Sequence, residues 1–324
     1  MNNSVLTKAI LAPAFLVLGV AGCGSDSSSN SGPAVFSLGV SDAPVENANK
    51  VVVCFSGIEL VGNGDPVTMN VGDEGVVGPN DMCTDNTGNV IPNTHGFDLL
   101  TLQGANSSDF IEGVEVEPGE YGQFRLNIAD NGSYVETIGG ETVSLRVPSN
   151  QLRLDGLTLT ANQTFNYTLE FELRQALVAP PGLGQYQLKP RGVRLVDNAE
   201  TGNINGRLDE ALLTNNECTV APEDASVPVA SVYFYEGAGV AVEDMQDNQD
   251  NESDPYASVA VYYDGAMEYP FEIGFVAAGP YTLGLTCDTE DDPTAEDTLN
   301  FIHTQDIEVI AGDTLELLVE ETEE

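Results

Sequence analysis

The sequence predicts an all-β protein of two tandem β-sandwich domains, and three observations carry that expectation. Along Thr164 to Arg174, the apolar residues Phe165, Tyr167, Leu169, Phe171 and Leu173 alternate with Asn166, Thr168, Glu170, Glu172 and Arg174. That is the period of a strand with one face on a core and one in water. Phe124, Leu126 and Ile128, then Val143, Leu145 and Val147, then Tyr281, Leu283, Leu285 and Cys287 repeat the pattern, and the last run turns Cys287 inward. Gly, Asn, Asp and Pro punctuate the runs at the short intervals that sandwich loops require. Finally, Pro118-Gly119-Glu120-Tyr121 and Ala278-Gly279-Pro280-Tyr281 each place a Gly two residues before a Tyr that opens an alternating run. A Tyr there can pack its ring inward and bond its hydroxyl to nearby backbone.

The first element is a targeting segment. Lys8 is the only charge before residue 26, and Ala9 to Val20 is apolar apart from the interruption at Pro13, the pattern of a secretory signal. It is too short to span a bilayer, which takes about 20 apolar residues. Its end, Val20-Ala21-Gly22-Cys23, resembles the lipobox of bacterial lipoproteins. The resemblance implies removal of residues 1–22 and acylation of Cys23, so that lipid chains rather than a helix hold the protein to a membrane. An ordinary cleaved signal followed by an unrelated cysteine is the alternative. In many Gram-negative lipoproteins an Asp after the cysteine retains the protein at the inner membrane; Gly24 stands here, which by resemblance favours the outer membrane. Residues 23–33, rich in Ser and Gly, read as a tether.

The remainder divides into a domain at 34–197 and another at 198–324, because Asp197-Asn198-Ala199-Glu200-Thr201-Gly202 separates two strand-like runs. In the first domain the only helical piece expected is one or two turns near Phe97 to Gln103. Of the five cysteines, Cys23 is assigned to lipid. Cys54, Cys83, Cys218 and Cys287 are an even set in an exported chain, which implies two disulfides. The domain division favours 54 with 83 and 218 with 287. A zinc site is the competing reading, against which the absence of paired C-x-x-C spacing weighs.

The chain carries a formal charge of -42. After Arg207 there is no Lys or Arg, while residues 208–324 hold 29 Asp and Glu. Such a surface repels nucleic acid and anionic head groups. It suits solvation at high ionic strength. Two loops concentrate carboxylates, 243–254 and 288–297. In the first, Asp247, Asp250, Glu252 and Asp254 offer the hard oxygen ligands that calcium takes, although the alternating D-x-D-x-D-G of a dedicated calcium loop is missing. Seven of the basic residues, Arg125, Arg146, Arg153, Arg174, Lys189, Arg191 and Arg194, fall within seventy positions of the first domain. They are expected to pair with cross-strand acids such as Glu170 and Glu172. A docking surface for an acidic glycan or for the acidic second domain is the alternative.

The opening Ser37-Leu38-Gly39-Val40-Ser41-Asp42-Ala43-Pro44-Val45, then Val51-Val52-Val53 and Ser56-Gly57-Ile58-Glu59-Leu60, resemble the domain of unknown function 4382 family of bacterial and archaeal exported proteins. Phe97-Asp98-Leu99-Leu100-Thr101-Leu102, the Gly119-x-Tyr121 turn with Phe124-Arg125-Leu126, and Leu188-Lys189-Pro190 also fit. The family supplies no activity to carry over. The second domain more weakly resembles the prealbumin-like, carboxypeptidase-regulatory type of module, through Gly206-Arg207-Leu208, Ala278-Gly279-Pro280-Tyr281 and Ile310-Ala311-Gly312-Asp313-Thr314. Both resemblances imply sandwiches of prealbumin-like or Ig-like kind, and the second implies a structural or binding appendage.

Catalytic constellations are thin. His95 and His303 lie in different domains outside any metal or nucleophile motif, and no G-x-S-x-G elbow, P-loop or dinucleotide fingerprint occurs. The expectation is a non-catalytic lipoprotein of the cell envelope, a binding or structural module without a required cofactor. Its partners are the membrane through the lipid and an envelope protein or polysaccharide. A calcium-assisted adhesin or carbohydrate-binding module is the alternative, and an envelope hydrolase comes third. The chain has no Trp, so a sugar-stacking platform would fall to Tyr233, Tyr235, Tyr262 and Tyr263.

Overall fold

The alternating runs become strands, joined by turns at the Gly, Asn, Asp and Pro clusters. The computed structural model describes residues 32–43, 48–62, 64–247, 254–289 and 298–321. In the first half the strands are β1 (Ala34–Ala43), β2 (Ala48–Gly62), β3 (Val67–Asn70), β4 (His95–Asp98), β5 (Ser108–Val116), β6 (Gly119–Ile128) and β7 (Tyr134–Thr137). They continue as β8 (Thr142–Arg146), β9 (Gln151–Leu159), β10 (Thr164–Glu172), β11 (Leu177–Val178), β12 (Tyr186–Leu188) and β13 (Val193–Asp197). The second half holds β14 (Thr201–Leu208), β15 (Pro228–Glu236), β16 (Ala257–Tyr262), β17 (Tyr269–Ala277), β18 (Gly279–Thr286), β19 (Phe301–Val309) and β20 (Thr314–Val319).

Each half is a sandwich. The first stacks a small sheet, β13-β10-β1-β5, on a larger one, β11-β12-β8-β7-β2-β6-β9, to which β3 and β4 add by pairing with β2. Between them lies a core of Phe36, Leu38 and Val40 from β1, Leu169 and Phe171 from β10, and Phe124 and Leu126 from β6. Phe55 packs its ring 5.0 Å from Phe97 and 5.3 Å from Phe110, within the range of favourable aromatic pairs. The second half stacks β17-β14-β20 on β16-β15-β18-β19, with Val232, Phe234, Val259, Ile273, Leu283 and Leu285 inside. Among the described residues no sheet mixes strands of the two halves, yet Gly32–Glu324 forms one compact unit.

The two Gly-x-Tyr turns adopt the same device. Tyr121 and Tyr281 are both buried, and each hydroxyl donates to the carbonyl four residues upstream, Tyr121 to Glu117 at 2.7 Å and Tyr281 to Ala277 at 2.9 Å. Each tyrosine thus pins a strand start to the corner before it. Cys54 is bonded to Cys83 and Cys218 to Cys287, with Cα atoms 5.8 and 5.4 Å apart. Cys287 is partly buried against the second core.

Among the described residues helix is confined to short pieces. The helical expectation near Phe97 to Gln103 reduces to a 3-10 turn at Leu99–Thr101, because His95–Asp98 pairs with β2 as a strand. The run expected to continue to Arg174 ends at Glu172, and Leu173–Ala176 makes one helical turn, α1. That turn carries the chain from the small sheet to the large one. In the second half α2 (Glu210–Asn215) is capped by the Asp209 carboxylate, which accepts from the Ala211 amide at 2.8 Å, and it buries Leu212 and Leu213. Among the described residues no helix is long and apolar enough to cross a membrane.

Candidate functional site

Among the described residues, buried ionisable side chains converge at the seam between the halves. β10 sends Leu169 and Phe171 into the first core, so its other face presents Thr168, Glu170 and Glu172, and all three are buried. The sequence pattern predicts water over this face, with Glu170, Glu172 and Arg174 in it. The structure corrects that expectation: the outer face of β15 and β16 covers them with Ser231, Tyr233 and Ser258, which are themselves buried. Register sets Arg194 of β13 beside Glu170 and Ser41 of β1 on its other side.

The bonds across the seam are specific. Ser258 donates to Glu172 from its backbone amide at 3.2 Å and from its hydroxyl at 3.3 Å. Arg174 reaches the Tyr233 hydroxyl at 3.2 Å and the Ser231 hydroxyl at 3.5 Å, and Gln175 donates to the Pro255 carbonyl at 3.1 Å. Arg194 donates to the Tyr256 carbonyl and lies 4.2 Å from the centre of its ring, a cation–π geometry. Farther along, the Ala105 amide donates to Glu272 at 2.9 Å. There Gly274 approaches so closely that a Cβ would lie 2.3 Å from the Gly104 carbonyl oxygen.

Not every charge in the seam is satisfied. Among the described residues, the carboxyl oxygens of Asp42 and Glu170 and two guanidinium nitrogens of Arg194 have no hydrogen-bond partner. The Ser41 hydroxyl, beside Glu170 in register, donates to the carbonyls of Asn106 at 2.8 Å and Leu102 at 3.1 Å. Burial pushes the Glu170 carboxyl up to about 8 against the pull of Arg194. Burial, with Glu170, Glu172 and Asp98 nearby, holds Asp42 well above the ordinary carboxylate range. Glu172 is raised by burial too, with Arg194 and the Ser258 bonds opposing. Removing a charge from water is unfavourable unless it is paired, so these acids keep their protons more readily than exposed ones.

The open concave surface lies elsewhere, at the loop end of the first half. One cleft of about 920 Å³ is formed by the β2–β3 region, the strap 91–94 and the β6–β7 turn. A second, of about 470 Å³, sits on the other side of that turn and shares Asp130 and Asn131 with it. The Cys54–Cys83 disulfide is buried behind this wall with Val52, Met82 and Ile91. Gly132 makes the close packing feasible, since a Cβ there would lie 2.7 Å from the Ile91 side chain. Asn80 ties the strap down by accepting from the Gly96 amide and donating to the Gly96 carbonyl, both at 2.9 Å.

The residues singled out from the sequence scatter. Cys23, Asp250 and Glu252 lie outside the described residues; Asp247 is buried and Asp254 half-buried. Among the described residues no three His, Cys, Asp or Glu side chains are grouped so as to hold a metal ion. Tyr233 and Tyr235 are not a sugar platform: both are fully buried, with the Tyr235 hydroxyl donating to the Gln246 carbonyl at 2.9 Å, because β15 is covered on both faces. Tyr263 packs against Tyr269. His95 bonds the Gly78 carbonyl at 2.7 Å, and burial lowers His303. Of the basic residues, Arg125 pairs with Glu59 at 3.3 Å, whereas Arg174 and Arg194 serve the seam. Contact of Arg174 and Arg194 with the second half is the alternative the sequence offered for the basic residues; sequence reasoning missed the burial of the acids beside them and the clefts, whose lining of Asn, Asp, Ser, Thr and Pro reads simply as turn residues.

Residues 33–190 match the family model described as a domain of unknown function, number 4382. No curated protein matches the chain. Among solved structures, similarity extends to a major pilin subunit of Bacillus cereus, at 8% identity over 89% of this chain and 70% of that one, with a TM-score of 0.21. It extends as well to a minor pilin of Streptococcus agalactiae, at 8% identity over 88% and 94%, with a TM-score of 0.19. Likeness at that level says nothing about what this chain binds.

Proposed function

We propose that this chain, whose first half is a domain of the unknown-function 4382 family, is a lipid-anchored module of the cell envelope that binds or bears load without catalysing a reaction. Cys23 holds it to the membrane, on the Val20-Ala21-Gly22-Cys23 box, and the tether of residues 24–33 spaces the sandwiches from the bilayer. With Gly24 after the cysteine, the outer membrane of a Gram-negative bacterium is the favoured address. The non-catalytic part is supported by one observation: Asp42, Glu170, Glu172 and Arg174 are buried in the seam, where Glu172 and Arg174 join the halves. The open clefts present amides, hydroxyls and proline rings beside a few charged side chains, a lining that suits recognition.

The test is fractionation of cells making the full chain or its Cys23→Ser variant, with intact mass of the product. The wild type is expected in the membrane fraction with acyl mass on Cys23, and the variant in the soluble fraction or uncleaved. A wild-type protein without lipid, starting at another residue, overturns the anchor. Turnover of an envelope polymer abolished by changes in the clefts overturns the non-catalytic reading.

A further inference from the structure

We infer that the paired clefts astride the β6–β7 turn are a binding site for a strand of neutral glycan. The inference deepens the binding-module reading above and rests on it. Each cleft falls within or near the volumes of small-molecule sites, about 300 to 1,000 Å³, and the shared Asp130–Asn131 rim makes the two a continuous path across the turn.

The chemistry of the rim is that of hydroxyl recognition. Sugar hydroxyls donate and accept together, so they are matched by a carboxylate beside an amide. Asp73 has one carboxyl oxygen fixed by the Asn70 backbone at 2.7 Å, and Asp130 has one fixed by the Asn150 side chain. The second oxygen of each makes no hydrogen bond among the described residues, and the same is true of the exposed Asn93 and Asn131 carboxamides. Asn93 is held at φ 55°, a left-handed conformation that Asn tolerates better than most residues. Pro79 and Pro92, both exposed in the larger cleft, supply flat carbon surface for the C–H face of a ring.

Charge decides which glycan. The chain carries -42, and the two clefts hold Asp73, Asp85 and Asp130 against the single cation Arg146, so a polyanion is repelled at long range and meets a net negative rim. A neutral hexose or hexosamine polymer meets no such barrier. The larger cleft has no aromatic residue, so binding is weak for a single site.

The purified full chain in detergent is titrated calorimetrically with maltohexaose, cellohexaose, mannohexaose and chitohexaose, and with polygalacturonate as the anionic counterpart. At least one neutral hexamer is expected to bind with a Kd of about 0.1–1 mM. Backbone amide shifts on binding are expected to be confined to the linings of the two clefts, 70–73, 84–86, 91–94, 129–134 and 142–146. Asn131→Ala and Asp130→Ala are each expected to weaken binding about tenfold or more at an unchanged melting temperature, and Asp264→Ala, in a turn of the second half, to leave it unaltered. The inference is overturned by the absence of binding to all four hexamers at about 10 mM, by shifts centred elsewhere, by affinity that survives both substitutions, or by tighter binding of polygalacturonate. Membrane fractionation of the same chain reads the anchor independently, so failure here is distinct from failure of the envelope reading.

Discussion

The two polar faces of the first half read alike in sequence and meet opposite surroundings. On the large sheet, Glu59, Arg125, Asn127 and Gln151 stand on adjacent strands at the solvent side, and the Arg125–Glu59 pair keeps about a quarter of each side chain exposed, 27% and 26%. On the small sheet, Glu170, Glu172 and the Arg194 guanidinium form the same kind of acid–base array under another sandwich. An alternating strand thus tells which residues leave the core. What they leave it for is set by the partner surface.

The comparison breaks most readily at its two arginines. Arg194→Ala removes the cation facing Glu170 and Glu172 together with its contact to Tyr256, and disrupting a buried charge array of this kind destabilises by about 3–5 kcal/mol. Arg125→Ala removes a half-buried pair at the sheet surface that still touches water, and is expected to change stability by about 1 kcal/mol. Urea unfolding of the two variants measures the gap. Equal losses would mean that the seam is wetter than its packing implies.

pH sharpens the same contrast. Glu170 titrates near 4.5 in the unfolded chain and about 8 in the folded one. Between those values the folded protein holds a proton that the unfolded chain has released, so stability falls as pH rises through the window. The contribution is fully present below about 4.5 and is lost above about 8, an effect of a few kcal/mol. Asp42 and Glu172 act in the same direction. Glu170→Gln removes its own share of the slope. Unfolding free energies of the wild type and this variant at pH 5, 6, 7 and 8 decide it; parallel curves would exclude Glu170 as a source.

The wall of the clefts offers a third test, since it is stapled where the seam is packed. Replacing Cys54 and Cys83 by Ala is expected to destabilise by about 2–4 kcal/mol. It should also raise amide exchange in the strap 91–94 more than in β10 or β15, because Cys54, Cys83 and Ile91 share one buried cluster. Uniform exchange increases would place the staple's effect in the whole fold.

Much of the scaffold was legible in the chain. Runs such as Tyr281, Leu283 and Leu285 are strands because period two is a local property, and the two Gly-x-Tyr turns announce corners because Tyr, Gly and strand start lie within a few residues. The seam was not legible, since Ser231, Tyr233 and Ser258 lie 57 to 86 positions from the residues they contact. Their own strands, β15 and β16, are buried on both faces and lose the alternation that would mark a covered polar side. The clefts were hidden for another reason: Asn70, Asp73, Asn93, Asp130 and Asn131 are ordinary turn residues, and only the fold brings three turns together. Helix α2 did carry a readable signal, Asp209 as cap before Leu212 and Leu213, but it is too short for periodicity to establish.

The smallest expected effect probes how tightly the halves meet. Gly274 of β17 touches the loop at Gly104–Ala105, and a Cβ there would lie 2.3 Å from a backbone oxygen, a group with no rotamer by which to move aside. Gly274→Ala must therefore shift either the loop, with the Ala105–Glu272 bond at 2.9 Å, or the β17 backbone. Overpacking of this kind destabilises by about 1–3 kcal/mol. Gly122, on the open face of the large sheet, has nothing within 4 Å of its would-be Cβ, so Gly122→Ala is expected to change stability by less than about 0.5 kcal/mol. If the halves melt as one body, calorimetry of Gly274→Ala shows a single transition moved to lower temperature. If contact at Gly274 governs only local docking, the transition splits in two, with the first half unmoved, and the seam is then a hinge rather than a weld.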